Sequence, residues 1–183
     1  MKPPILLFAC FCLTLLTCKQ EPTFDVSKLQ TEITATGNSW VINNVEKSSE
    51  VITKDGIINW KDANDTIRTF FYTEKEATIP FGIIAKGTSE ISISYNDKTE
   101  SLKLNNSKFD TIYIGNYKSS DKGYNYIDLK ATSKTGNTFA EIKSFVFQQP
   151  EDSTLVKYLK DDFYFGRRGP STHLIFETPT NDI

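Results

Sequence analysis

The stretch FYFGRRGPSTHL sets two adjacent arginines, Arg167 and Arg168, between glycines, behind three aromatics and five residues before His173, the single histidine of the chain. Two guanidiniums at a turn can clamp a carboxylate or phosphate in bidentate fashion, and an exposed basic turn reads the same way. No catalytic set assembles around them. A lone histidine, with serines lacking the glycine context of a nucleophile elbow, gives no nucleophile–base–acid arrangement. With all three cysteines in the first 18 residues, no zinc-ligand pattern exists either. Carboxylates are numerous, but nothing in their spacing singles out a glycosidase pair. The loop KDGIINWKDANDTI carries Asp55, Asp62, Asn64 and Asp65, oxygen ligands of the kind calcium takes. Their spacing misses the EF-hand pattern and reads as a solvated loop. No catalytic residue, no resident metal and no cofactor are expected.

The aromatics carry more information. Phe and Tyr number 13 and 8, and aromatics make up 13% of the chain. If Ile127 and Leu129 point into a core, Tyr124 and Tyr126 share the opposite face with Asp128, because strand side chains alternate. Trp60 lies in a polar loop, next to Asn59. Sugar rings present apolar C–H faces that stack on exposed aromatics, while neighbouring Asp or Asn bind hydroxyls. Trp60, Tyr124 and Tyr126 are therefore candidate stacking groups, with Asn59 and Asp128 as hydroxyl partners. The competing reading buries each ring in a second layer or at a strand end.

The elements that must position these residues are strands. From Gly37 to Gln148 the pattern has period two, broken by turn residues. TIRTFFYT puts Ile67, Thr69 and Phe71 on one face and Arg68, Phe70 and Tyr72 on the other. SEISISY alternates Ile91, Ile93 and Tyr95 with polar residues, and NDK makes a tight turn into TESLKLN. About eight short strands at this spacing predict an all-β fold, an antiparallel β-sandwich of jelly-roll type. Pro80 inside a strand pattern marks an edge or a bulge. After Pro150, Asp152 or Ser153 would cap a short helix carrying Leu155, Val156 and Leu159, or the segment is an extended connector. Two strand-like segments then flank the arginine pair, and the chain stops.

The first residues belong to no fold. Lys2 precedes an apolar run from Ile5 to Leu16, too short for a membrane-spanning helix but right for a signal-peptide core. Cys18 follows LLT, as the acceptor cysteine follows a bacterial lipobox, so residues 1–17 are read as a lipoprotein signal peptide. Residues 18–35 are read as a flexible tether, 36–149 as the sandwich, and 150–183 as a linker with the start of a second domain. Lipid on Cys18 would anchor the protein to a membrane, and since Lys19 is not an inner-membrane retention Asp, the resemblance to bacterial lipoproteins implies outer-membrane sorting as the default, facing the periplasm or the surface. A net charge of −2 without a concentrated basic face excludes a nucleic-acid footprint.

The segments GNSWVIN, DGIINW, FFYTEKEATIPFGIIAKG, GYNYIDLKATSKTG and, above all, YFGRRGPSTHL together resemble one bacterial lipoprotein architecture. It is similar to the domain-of-unknown-function family 5077, a β-sandwich, over about Thr36–Gln148, followed by the truncated start of family 3472. The resemblance implies an envelope lipoprotein of glycan-handling bacteria whose sandwich is similar to carbohydrate-binding modules. It implies no catalytic residues, since neither family has an established activity. Arg167, Arg168 and His173 would belong to the second domain. Three readings follow: a lipid-anchored sandwich that binds glycan without catalysis, the accessory part of a two-domain glycan-active enzyme, or a structural envelope lipoprotein without ligand.

Overall fold

A computed structural model of the chain describes residues 23–25, 30–119, 121–149 and 155–158. Cys18, Arg167, Arg168 and His173 lie outside the described residues. Among the described residues ten strands follow one another: β1 (Thr31–Thr34), β2 (Ser39–Val41), β3 (Ile52–Thr53), β4 (Gly56–Ile57), β5 (Thr66–Thr73), β6 (Ala77–Tyr95), β7 (Lys98–Ser119), β8 (Gly123–Lys134), β9 (Glu141–Phe147) and β10 (Val156–Lys157). Every pairing is antiparallel.

The alternation seen in the sequence becomes two layers. β5 buries Ile67, Thr69, Phe71 and Thr73 and turns Arg68, Phe70 and Tyr72 outward. β6 and β7 form one long hairpin closed by Asn96 and Asp97, whose φ of 46° and 61° are those of a two-residue I′ turn. This hairpin is shared between the layers. Residues 89–94 of β6 pair with β8, and residues 81–86 pair with β9. The corner falls at Gly87, where φ is +155° and the register of β7 shifts. One layer, sheet A, thus holds β2, β10, β5, β8 and the second half of β6. The other, sheet B, holds β1, β3, β4, β9 and the first half of β6. The layers meet through rings, with Phe71 of β5 4.7 Å from Phe147 of β9 and 5.0 Å from Tyr117 of β7. Phe81 bridges Phe147 at 5.8 Å and Tyr95 at 4.7 Å. Burying a large apolar side chain contributes roughly 1.5–3 kcal/mol relative to leaving it exposed, so these rings, with the buried isoleucines around them, hold the sheets together.

The antiparallel sandwich expected from the sequence is thereby present, and a register shift follows Pro80 between Phe81 and Gly82. One segment differs from the sequence reading. Strand structure starts at Thr31, inside the stretch read as a tether, because Ile33 inserts into the core while Thr31–Thr34 pair with Ser144–Phe147. After Pro150, the described residues 155–158 follow the extended alternative: Val156 and Lys157 run along β5, and Leu155 and Val156 are buried. Among the described residues no helix is long and apolar enough to cross a membrane.

Candidate functional site

The register of β5 against β8 sets Arg68 opposite Asp128, Phe70 opposite Tyr126 and Tyr72 opposite Tyr124. All six side chains stand on the outer face of sheet A. Arg68 donates from Nε to Asp128 Oδ1 at 2.7 Å and from Nη2 to Oδ2 at 2.8 Å, a bidentate fork. The hydrogen bond to Asp128 raises the Arg68 pKa further above its ordinary value, against a smaller opposing effect of desolvation. The same guanidinium lies 3.7 Å above the Tyr126 ring centroid, so a permanent cation fixes that ring from one side. Phe70 meets Tyr126 edge-on at 6.4 Å, and Trp40 of β2, itself buried, backs Phe70 at 5.8 Å. Tyr72 supports Tyr124 in the same edge-on manner at 5.1 Å. Tyr124 and Tyr126 nonetheless remain 40% and 41% exposed.

The result is a pair of solvent-facing phenols, about 7 Å apart along one strand at ~3.4 Å per residue, held by a packed second row. Polar groups border them on β6: Ser94 is opposite Asp128 and Ser92 opposite Lys130. The Ser94 hydroxyl shares a 2.9 Å hydrogen bond with that of Thr99. Such a surface can stack on an apolar ring face and exchange hydrogen bonds with hydroxyls around it.

Trp60 and Asn59 are elsewhere, and for Trp60 the stacking role is corrected. Its side chain is 0% exposed, packed 5.7 Å from Phe139, with Nε1 donating to the Asp62 carbonyl at 3.1 Å. A ring with no accessible face cannot stack on a ligand. Asn59 is exposed, but its Nδ2 donates to the Glu50 carbonyl at 3.1 Å. Lys134, at the far end of β8, donates to the Lys61 carbonyl at 2.8 Å, which places this loop ten residues along the strand from Tyr124. At ~3.3 Å per residue that is about 30 Å, so Asn59 is no neighbour of the tyrosines. Of the five residues proposed for one site, the fold brings together Tyr124, Tyr126 and Asp128 and adds Arg68, Phe70 and Tyr72.

Asn59 instead borders an open cavity of about 270 Å³ that Lys47, Asp62 and Asp65 also line. Lys47 Nζ sits between the carboxylates of Asp62, at 2.7 Å, and Asp65, at 3.3 Å. Its hydrogen bond, with that of the Asn64 N–H, lowers the Asp62 pKa, and the two carboxylates raise that of Lys47. The ammonium thus takes the place a cation would need in the acidic loop, and Asp55 lies in the separate β3–β4 turn, its N–H bonded to Thr53 Oγ1. Among the described residues no group of three or more His, Cys, Asp or Glu is arranged to hold a metal ion.

Fold and surface together define a β-sandwich domain with an exposed aromatic face on one sheet. The match of the family model described as "Domain of unknown function (DUF5077)" covers residues 33–152, and the chain belongs to that family. No curated protein matches it in sequence. Among solved structures it is similar to a GH26-CBM35 β-(1,4)-mannanase of Podospora anserina, at 13% identity and a TM-score of 0.48 over 67% of this chain and 29% of that one. It is also similar to a family 35 carbohydrate-binding module from an environmental isolate, at 18% identity and a TM-score of 0.46 over 72% of this chain and 97% of the module. A ruminal GH26 endo-β-1,4-mannanase matches at 14% identity and a TM-score of 0.41, over 74% of this chain and 28% of its own. The chain thus spans less than a third of the length of either mannanase.

Proposed function

We propose that this protein is a non-catalytic, glycan-binding lipoprotein of the bacterial cell envelope, and that the outer face of β5 and β8 takes the sugar. The observation that carries the reading is the exposure of Tyr124 and Tyr126 on one face of the sheet, each braced from the side by an aromatic of the neighbouring strand. Two large rings exposed side by side and rimmed by polar groups form an apolar patch of the kind that serves as a ligand-binding surface. A pyranose fits, since its C–H face matches a phenol and its hydroxyls match Ser92, Ser94, Lys130 and the lone pairs that Asp128 keeps beyond its fork with Arg68. Arg68 holds Tyr126 in place before a ligand arrives, which lowers the ordering cost of binding. An exposed ring stacked on a sugar contributes on the order of 1 kcal/mol, roughly fivefold in affinity.

A glycan array probed with the mature chain identifies the ligand, and titration calorimetry then compares variants. Tyr124→Ala and Tyr126→Ala are each expected to weaken binding severalfold without loss of fold. If both leave affinity unchanged, the face is not the site. The envelope assignment rests on LLTC: membrane-extracted protein should begin at an acylated Cys18 by mass spectrometry. An unmodified N-terminus at another residue contradicts it.

A further inference from the structure

The N-terminal chain touches the sandwich before its first strand. The Asp25 N–H donates to Gln148 Oε1 at 2.8 Å, and Gln148 Nε2 donates back to the Asp25 carbonyl. Gln148 is only 7% exposed, and its own N–H donates to the Pro80 carbonyl at 2.9 Å. One buried amide side chain therefore grips the backbone of a single residue from both sides, as a neighbouring strand would. Next to it, the Phe24 ring lies 5.4 Å from that of Tyr113. Tyr113 pairs with Gly82, and the next pair, Ile83 with Ile112, has Ile83 fully buried in the core. Gly82 and Tyr113 thus face outward on sheet B, across the sandwich from Tyr124 and Tyr126.

Covalent geometry turns this contact into an orientation. From Cys18 to Thr23 there are five residue steps, which span at most ~18 Å at 3.3–3.6 Å each. Were β1 the first fixed point, the thirteen steps to Thr31 would allow about 45 Å. The sheets are about 10 Å apart, so the two outer faces differ in height by more than half the length of the shorter leash.

We propose that residues 23–25 are a clasp that shortens the lipid leash, so that the anchored sandwich stands with the outer face of sheet B toward the bilayer and the tyrosine face away from it. The proposal rests on the reading of Cys18 as the acylated residue. It gives that arrangement a purpose: a short leash fixed behind the sandwich presents the binding face to the medium rather than to lipid headgroups.

The test uses the full chain, processed in a Gram-negative host and placed on phosphatidylethanolamine–phosphatidylglycerol vesicles with a headgroup-linked acceptor. A fluorophore is attached at Lys143→Cys, on the outer face of sheet B, or at Lys130→Cys, on that of sheet A; both lysines are exposed. Energy transfer is expected to be at least twofold more efficient from position 143. In the Phe24→Ala/Gln148→Ser background the ratio should fall toward one. Equal or reversed transfer in the unaltered clasp overturns the proposal. Two further readouts separate the causes. A free thiol on Cys18, seen as a second label by mass spectrometry, overturns the orientation through failure of the anchor. Exchange of the Asp25 amide as fast as in an unstructured chain overturns it through failure of the clasp.

Discussion

Gly115 sits where no side chain fits while Tyr95 keeps its hydroxyl. A Cβ built on Gly115 would lie 2.2 Å from Tyr95 Oη, 3.3 Å from Cζ and 3.9 Å from Cε2. Gly115→Ala therefore requires the Tyr95 ring to retreat by about 1 Å to reach ordinary carbon–oxygen contact. Tyr95 is only 5% exposed and is boxed by Phe81 at 4.7 Å and Tyr117 at 6.4 Å, so the retreat displaces the aromatic core. Overpacking of this kind costs about 1–3 kcal/mol. Against it stands the entropic gain of Gly→Ala in the unfolded chain, about 0.4–1 kcal/mol. The net expectation is a loss of about 1–2 kcal/mol, or 2–8 °C in Tm for a chain of this size. Tyr95→Phe removes the colliding oxygen and leaves Cζ as the nearest atom, so in that background Gly115→Ala should cost about zero. Urea unfolding of the four proteins in a double-mutant cycle should give a coupling energy of about 1 kcal/mol or more. Equal costs in the two backgrounds would show that the methyl and the hydroxyl do not meet, and that the second half of β7 lies differently over the core.

Burial pushes the Tyr117 pKa from the ordinary 10.0 up to about 12, and its hydroxyl donates to Asn125 Oδ1 at 3.1 Å. The folded state therefore favours the neutral phenol: stability should be level below pH 10 and fall by up to about 1.4 kcal/mol per pH unit toward pH 12. Urea midpoints across that range check this, and Tyr117→Phe should flatten the slope. Asp128→Asn should cost about 1–2 kcal/mol, since half of a half-buried fork is lost. It should also weaken the ring-current shift of the Arg68 side-chain protons over Tyr126 in NMR spectra; an unchanged shift would mean that Asp128 does not hold Arg68 there. Lys47→Met should lower Tm by leaving Asp65, whose side chain is 3% exposed, without its cation, and adding Asp65→Asn should recover part of the loss. The lowered Asp62 pKa stabilises the fold above pH 3.8 and loses that contribution as pH falls, so Lys47→Met should also flatten the acid limb of the stability curve.

Which side chains share a face could be read along each strand. In TIRTFFYT and GYNYIDL alternation is a covalent property of extended backbone, so Phe71 and Ile127 inside imply Phe70, Tyr124 and Tyr126 outside. The Asn-Asp turn was legible for the same local reason, because positive φ at two adjacent residues suits few residue types. What joins distant segments was not legible. Arg68 and Asp128 are 60 residues apart, and only the register of β5 on β8 makes them opposite. A slip of one residue would face Arg68 with Ile127 or Leu129 and dissolve the fork. Trp60 looked exposed because its neighbours are polar and its loop has no period to read. Its burial is decided by the loop between β8 and β9, where the Phe139 N–H donates to the Trp60 carbonyl at 2.9 Å and the Phe139 ring closes over the indole. Likewise, nothing in PTFD announces that Phe24 and Asp25 are held, since their partners, Tyr113 and Gln148, come about 90 and 123 residues later. Local chemistry fixed the faces of the strands; only the packing of one strand against another decided which outward residues became a surface and which were covered.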